Sequence, residues 1–535
     1  MKADIIFYGG SVHTVDERNS IKEAVAIKGD RILTVGTKED VERFCDEDTQ
    51  KFDLKGRSLI PGIIDSHLHM AVFGINELAI DCRSPGVSSI EDIKELIRKK
   101  VEITPKGQWI RGWGYDHSKL KEKRHPNKWD LDEVAPDHPV ILTRVCAHIS
   151  THNSMSLDKA HITDGDKPPA GGEFEIIDGK ISGVMFENAH MDMLKTSLPS
   201  YDELMKAMDV AGKKLASQGI TSVHDSGGYG AIQMKTVQDA VSAKKIKQRM
   251  NMMIFSFVDN VDFVNDYLKI GVHSGFGNEK FRLGPIKIMI DGSSSGPTAA
   301  TFEPYESDPK SRGIMSMDIK TIDDIVMRAH KAGWQITCHA VGDRAISSIL
   351  DAIDKAQKAY PQNDMRHRVE HAAMMNGKLM KKMKDLNVTP ILQPIFLYEF
   401  GDGYMVNYGK DRAYNMFPAN RFLKNGITPV GSSDCPITFS DPFLNMYMAT
   451  TRKTQSGQII NDAECITIEE ALRMFTINGA YISFEEDIKG SIEKGKLADL
   501  VVLSESLTKI SPDILKDVKA ELTMIGGEIV YQKEE

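Results

Sequence analysis

The stretch Ser58-Leu-Ile-Pro-Gly-Ile-Ile-Asp-Ser-His67-Leu-His69 decides how the rest of the chain is read. An apolar run ends in two histidines one residue apart. On a strand, residues i and i+2 project to the same face, so His67 and His69 can grip one metal ion from a rigid strand end. Four residues far downstream can complete such a site: Lys287, His339, His371 and Asp434. Each lies at or near the end of its own strand-like segment. The pattern points to a binuclear metal hydrolase.

Working outward, apolar segments that read as strands recur at 59–65, 221–225, 251–257, 285–291, 335–340, 367–371, 389–393 and 428–433. Helical patterns such as 201–218 and 321–332 separate most of them, and this alternation is the signature of a parallel α/β fold. Eight strands fit a closed (β/α)8 barrel of the TIM type, whose active sites sit at the C-terminal ends of the strands. The candidate ligands fall at the ends of the first, fifth, sixth and eighth strands, with Lys287 inside the fourth. That lysine interrupts the apolar run Ile286-Lys-Ile-Met-Ile290. A buried lysine has a depressed pKa and is costly unless it is used.

Three parts are expected. Residues 1–57 read as short strands with Gly turns, and 486–535 repeat that grammar. Neither end can stand alone, so the two are expected to combine into one small β-sandwich domain. The barrel takes 58–71 and 201–485. The roughly 150 residues between its first two strands are too many for a loop, so 72–200 is expected to be an inserted subdomain capping the substrate.

The chain is long enough to bury a large core in more than one domain. Its 67 basic and 76 acidic residues give a net charge of −9, and no basic stripe of the kind that binds nucleic acid is present. The first residues enter a strand directly, without the apolar core of a secretion signal, and no segment approaches a membrane span. The expectation is a cytoplasmic protein that acts on a small molecule, without nucleic-acid or membrane partners; a homodimer stays open. Cys45, Cys82, Cys146, Cys338, Cys435 and Cys465 include no CxxC pair, so they do not form a disulfide framework. Cys338 and Cys435 adjoin candidate ligands and are expected to pack as free thiols beside the site.

His67-Leu-His69, Pro285-Ile-Lys287-Ile-Met-Ile-Asp-Gly, Cys338-His339-Ala-Val-Gly-Asp-Arg344, Arg368-Val-Glu-His371-Ala and Gly431-Ser-Ser-Asp434-Cys-Pro occur in this order. Together with Gly490-Ser-Ile-Glu-Lys-Gly-Lys-Leu-Ala-Asp-Leu-Val-Val-Leu, they resemble the amidohydrolase superfamily, and within it the YtcJ-like branch, the amidohydrolase 3 group. The resemblance spans essentially the whole chain. It implies a metal-dependent barrel hydrolase with two divalent ions, Zn²⁺ first and Mn²⁺, Fe²⁺ or Ni²⁺ as alternatives. His67 and His69 would bind one ion, and His339 and His371 the other. Lys287 would carry a carbamate on its side-chain nitrogen that bridges both ions.

Asp434 would ligate the first ion, take the proton from an attacking water that bridges the metals as hydroxide, and pass it to the leaving group. The implied reaction is hydrolysis of a non-peptide C–N bond in an amide, an N-acyl or N-formyl group or a cyclic amide. Heterocycle deamination at a single ion and ester or lactone hydrolysis are the alternatives, and a non-catalytic binding protein is the least favoured. Asp65 and Asp291, which also end strands, are expected to support the site. Trp113 in the run Trp109–Asp116, His148 and Glu187 match family positions in the insertion and are candidate substrate contacts. Glu187 is also the substitute bridge if Lys287 is not carboxylated. Arg344, after the fifth strand, could anchor an anion.

Overall fold

A computed structural model describes residues 2–84, 86–145, 149–169 and 172–534. Its central element is an eight-stranded, all-parallel sheet in sequential order. The strands are Ile63–Leu68, Ile220–Asp225, Arg249–Ile254, Phe281–Met289, Ile336–Ala340, Arg368–His371, Thr389–Leu392 and Val430–Gly431. Most of their residues are buried, because strands flanked by helices on one side and a packed barrel interior on the other meet no water. Backbone hydrogen bonds bring the eighth strand's end back to the first: Asp434 N donates to His67 O, and His69 N donates to Cys435 O, both at 2.8 Å. The sheet is thereby rolled into the expected TIM-type barrel.

The helices follow from amphipathic spacing and caps. Ile319–Lys331 buries Ile322, Ile325, Val326 and Ala329, and Asp318 caps it by accepting from Lys320 N and Thr321 N. A cap of this kind satisfies backbone donors that the first turn cannot pair internally.

The strand expected over 59–65 is instead two strands. Ser58–Pro61 pairs with Leu500–Leu503 and Ser11–His13 in a small sheet, whereas Ile63–Leu68 enters the barrel. Gly62 makes the crossing, where an added Cβ would lie 2.2 Å from Thr221 Oγ1. An apolar run does not reveal which of two adjoining cores takes each half. The small sheet has six strands, drawn from both ends of the chain, and it faces a four-stranded sheet of Arg31–Gly36, Ala24–Lys28, Ile5–Tyr8 and Gln50–Asp53. Phe7, Val25 and Ile27 from one sheet share a core with Leu59, Leu500 and Met524 from the other, which makes a β-sandwich.

Two compact units result: Met1–Met70 with Gly212–Glu535, and Ala71–Ala211. The second unit carries its own six-stranded sheet and its own core, in which Ile93, Ile97, Ile110, Tyr115 and Leu142 are buried. Among the described residues, no helix is long and apolar enough to cross a membrane.

Candidate active site

Six side chains of the first unit converge at the C-terminal end of the barrel. His67 Nε2 lies 3.1 Å, and His69 Nε2 3.6 Å, from Asp434 Oδ1. These three residues, all buried, present ligand atoms within 4.8 Å of one another and form a possible His-His-Asp metal site. His339 Nδ1 and His371 Nε2 are 2.9 Å apart. The His371 ring lies 5.3 Å from that of His67. Lys287 Nζ, on a side chain 1% exposed, is 3.2 Å from His67 Nε2.

The outward nitrogen of each histidine has its own partner. His69 Nδ1 donates to Gly227 O at 2.7 Å and His339 Nε2 to Gly292 O at 3.2 Å. His371 Nδ1 meets Gln393 Oε1 at 2.8 Å, and His67 Nδ1 meets Glu370 Oε2 at 2.5 Å. The Gln393 orientation follows from its other end, where Nε2 donates to Ser432 Oγ at 2.8 Å while that hydroxyl donates to Leu392 O. A neutral imidazole has one donor and one acceptor nitrogen. Because carbonyl-type oxygens take the donors of His339 and His371, their inward nitrogens both present lone pairs, and these face each other at hydrogen-bond distance. Burial holds both rings below the ordinary histidine range, His339 at about 4, so neither supplies a proton to relieve the contact. Such an arrangement fits a cation accepting both lone pairs.

Charge around the first three residues points the same way. Burial would raise the Asp434 carboxyl, but His67, His371 and His69 more than offset it and hold it below its usual range. Burial and Lys287 push His69 down to about 3. Burial also lowers Lys287 to about 8, against the pull of Asp434 and Glu370. Backbone strain collects here too. His371 (φ 71°), Ala372 (φ 42°) and Asp434 (φ 56°) occupy the left-handed region without being glycine, which costs of order 1–3 kcal/mol each and concentrates at functional sites.

Asp65 and Asp291 chiefly fix backbone, although Asp291 Oδ1 also lies 3.6 Å from His339 Nε2. Asp65 Oδ1 accepts from Ser433 N at 3.1 Å and His67 N at 3.2 Å, tying the eighth strand's end to the first. Asp291 accepts from Ala300, Val341 and Gly342 N at 2.9–3.1 Å, pinning the loops beyond the fourth and fifth strands. Burial raises Asp65 to about 6 and Asp291 to about 7. Cys338 and Cys435 are buried free thiols, and burial pushes Cys338 well above its ordinary value, away from the thiolate that a nucleophile needs.

A model of the amidohydrolase family matches residues 50–531. The chain belongs to the amidohydrolase family. This amidohydrolase is 30% identical over its full length to all of YtcJ from Bacillus subtilis (strain 168). It is 28% identical, over 99% of the chain and 98% of the relative, to an N-substituted formamide deformylase from Arthrobacter pascens. The fold matches a crystal structure described as an uncharacterized metal-dependent hydrolase from Pyrococcus horikoshii OT3. That match has a TM-score of 0.81 and 21% identity, and it covers 95% of this chain and 99% of the other.

Arg344, half-buried in the first turn of the helix Asp343–Ala359, has a buried Nε with no hydrogen-bond partner among the described residues. In the second unit of the amidohydrolase, Trp113 lies on the strand Ile110–Tyr115 with the Arg83 guanidinium 5.0 Å from its ring. Glu187 is exposed and ends the strand Lys180–Glu187 with φ 50°. His148, like Cys146, lies outside the described residues. Sequence reasoning did not single out Glu370 and Gln393, which hold two of the four rings. The available signal was weak: Arg368 and Glu370 stand two apart in the short, largely polar segment Arg368-Val-Glu-His371, and polar residues there stand out less than Lys287 does in its apolar run.

Proposed function

We propose that this amidohydrolase cleaves a C–N bond of a small amide, with an N-substituted formamide, an N-acyl compound or a cyclic amide as the substrate class. The observation that carries the proposal is the 2.9 Å approach of His339 Nδ1 and His371 Nε2, two rings whose other nitrogens face Gly292 O and Gln393 Oε1. His339 and His371 would hold one divalent ion, and His67, His69 and Asp434 a second. Zn²⁺ is the first expectation for this nitrogen-rich set. When bound, the ions polarise the scissile carbonyl and lower the pKa of the attacking water.

The residues do the rest. Asp434, held ionised by its histidine neighbours, accepts the proton released as water adds to the carbonyl carbon. It then delivers that proton to the departing nitrogen as the C–N bond breaks. Lys287, with its pKa lowered to about 8 by burial, keeps a minor amine fraction at neutral pH, far larger than that of an ordinary lysine. Its Nζ can add to CO₂ and lose a proton, and the carbamate so formed would help His67, His69, His339, His371 and Asp434 to hold the ions. Arg344, Trp113, His148 and Glu187 are the proposed contacts to the rest of the substrate.

The test is a panel of N-substituted formamides, N-acyl amines and cyclic amides, scored by amine or carboxylate release with and without a chelator. Release that stops in chelator and returns with a divalent ion supports the proposal. Ammonia release from amino-heterocycles, with the amides untouched, would replace it with deamination.

A further inference from the structure

The four ring supports are unequal. His69 leans on a backbone carbonyl, His339 on a backbone carbonyl with Asp291 Oδ1 farther off at 3.6 Å, and His371 on a neutral amide, but His67 is hydrogen-bonded directly to a carboxylate. That carboxylate is built in deeply. Glu370 is fully buried, and its other oxygen, Oε1, accepts from Arg368 Nε at 2.8 Å and Nη2 at 2.7 Å as well as from Thr337 Oγ1. Arg368, 1% exposed, is anchored in turn by donating to Ser66 O at 2.6 Å, one residue before His67. The first, fifth and sixth strands therefore meet at one buried charge behind one ring.

We infer that Glu370, clamped by Arg368 and Thr337, is a positioning residue that makes the position of His67, His69 and Asp434 the tighter of two unequal metal positions. The inference rests on the metal-centre reading proposed above. The physics is local. A carboxylate accepting from Nδ1–H fixes the tautomer that leaves Nε2 free as a ligand, and it makes that nitrogen a stronger donor than one backed by a neutral oxygen. The geometry also predicts how the arrangement fails. In Glu370→Gln the three donors around Oε1 claim the amide oxygen, so the NH₂ group is turned toward His67 Nδ1. The ring proton then belongs on Nε2, where it blocks ligation. Nothing comparable happens behind His371, where an amide is already in place with its oxygen toward the ring.

The experiment is a titration of the metal-free, full-length protein with Zn²⁺ in competition with a chromogenic chelator. The expected wild-type result is two affinity classes separated by at least about tenfold. Glu370→Gln should weaken the tighter class by about 10–100-fold and leave the other within about threefold. Gln393→Glu places a carboxylate behind His371 and should tighten the weaker class, narrowing the gap from the other side. It also carries the test if Glu370→Gln does not fold. Two bound ions whose affinities both variants leave unchanged, or shift equally, would overturn this inference and leave the metal centre standing. No Zn²⁺ bound at either position would overturn the metal-centre reading, and this inference with it.

Discussion

Two pairs of histidine rings sit at opposite ends of the fifth and sixth barrel strands, each with ring nitrogens 2.9 Å apart. At the N-terminal end, His330 Nε2 donates to Tyr360 O, so its Nδ1 accepts from His367 Nε2, and His367 Nδ1 accepts from Ile336 N. Every nitrogen has a complementary partner, and the chain of hydrogen bonds closes on the backbone. At the C-terminal end, His339 and His371 spend their protons outward on Gly292 O and Gln393 Oε1 and turn two acceptors toward each other. Residue type and spacing are alike, and only His339 is partly exposed. The count of donors and acceptors differs, and it separates a structural pair, complete in itself, from one that calls for a cation.

The sharpest break between the two ends is catalytic. Asp434→Asn keeps the shape of the side chain but removes its capacity to carry the proton, and it should lower kcat by about 10²–10⁴-fold. Turnover of the best amide substrate measures this, with the thermal midpoint as a check on folding.

The opposite end should answer in stability instead. His367→Ala leaves Ile336 N and His330 Nδ1 without partners and opens a cavity, at a cost of about 2–4 kcal/mol by urea unfolding. Turnover per folded molecule should stay within about twofold of wild type. The pH dependence carries the same signature. Burial, and then His330, depress His367 to about 3, below its unfolded value of about 6.5. The unfolded chain therefore takes up the proton first. This contribution to stability is intact above about pH 6.5 and is lost progressively as the pH falls toward about 3. His367→Ala should remove that component, so the urea midpoint should fall less steeply between about pH 6.5 and 5 than it does in wild type.

A smaller effect sharpens the comparison from the other side. In metal-free protein, His339→Ala removes one of the two opposed lone pairs, which offsets part of the packing it loses. Its cost should stay below about 1 kcal/mol, less than that of His367→Ala in the same unfolding assay. A larger cost would mean that the His339–His371 contact is an ordinary hydrogen bond.

Much of this was open to sequence reading for physical reasons. His67 and His69 are two apart on a strand, Lys287 is a charge inside an apolar run, and barrel strands deliver their ends to one face. The barrel and the site at its strand ends follow from those facts, and the sandwich from the short strands with Gly turns at both ends of the chain. Other parts had no such signal. The supports of His69 and His339 are backbone carbonyls of Gly227 and Gly292, which every residue possesses. The division at Gly62 is made by two cores competing for one apolar run. His330 and His367 look no different in sequence from ligands, and only the pairing of their nitrogens shows that they are satisfied. Glu370 left a trace, but strand alternation alone does not say which ring a carboxylate will meet three hundred residues away.

The central claim is that the opposed acceptors of His339 and His371, beside the His67–His69–Asp434 cluster, form a metal centre. Elemental mass spectrometry on protein purified without chelators tests it most directly. The account predicts about two divalent ions per chain, falling by about one in His371→Ala while His367→Ala retains both. A wild-type chain that carries no divalent ion, even after reconstitution, would contradict it.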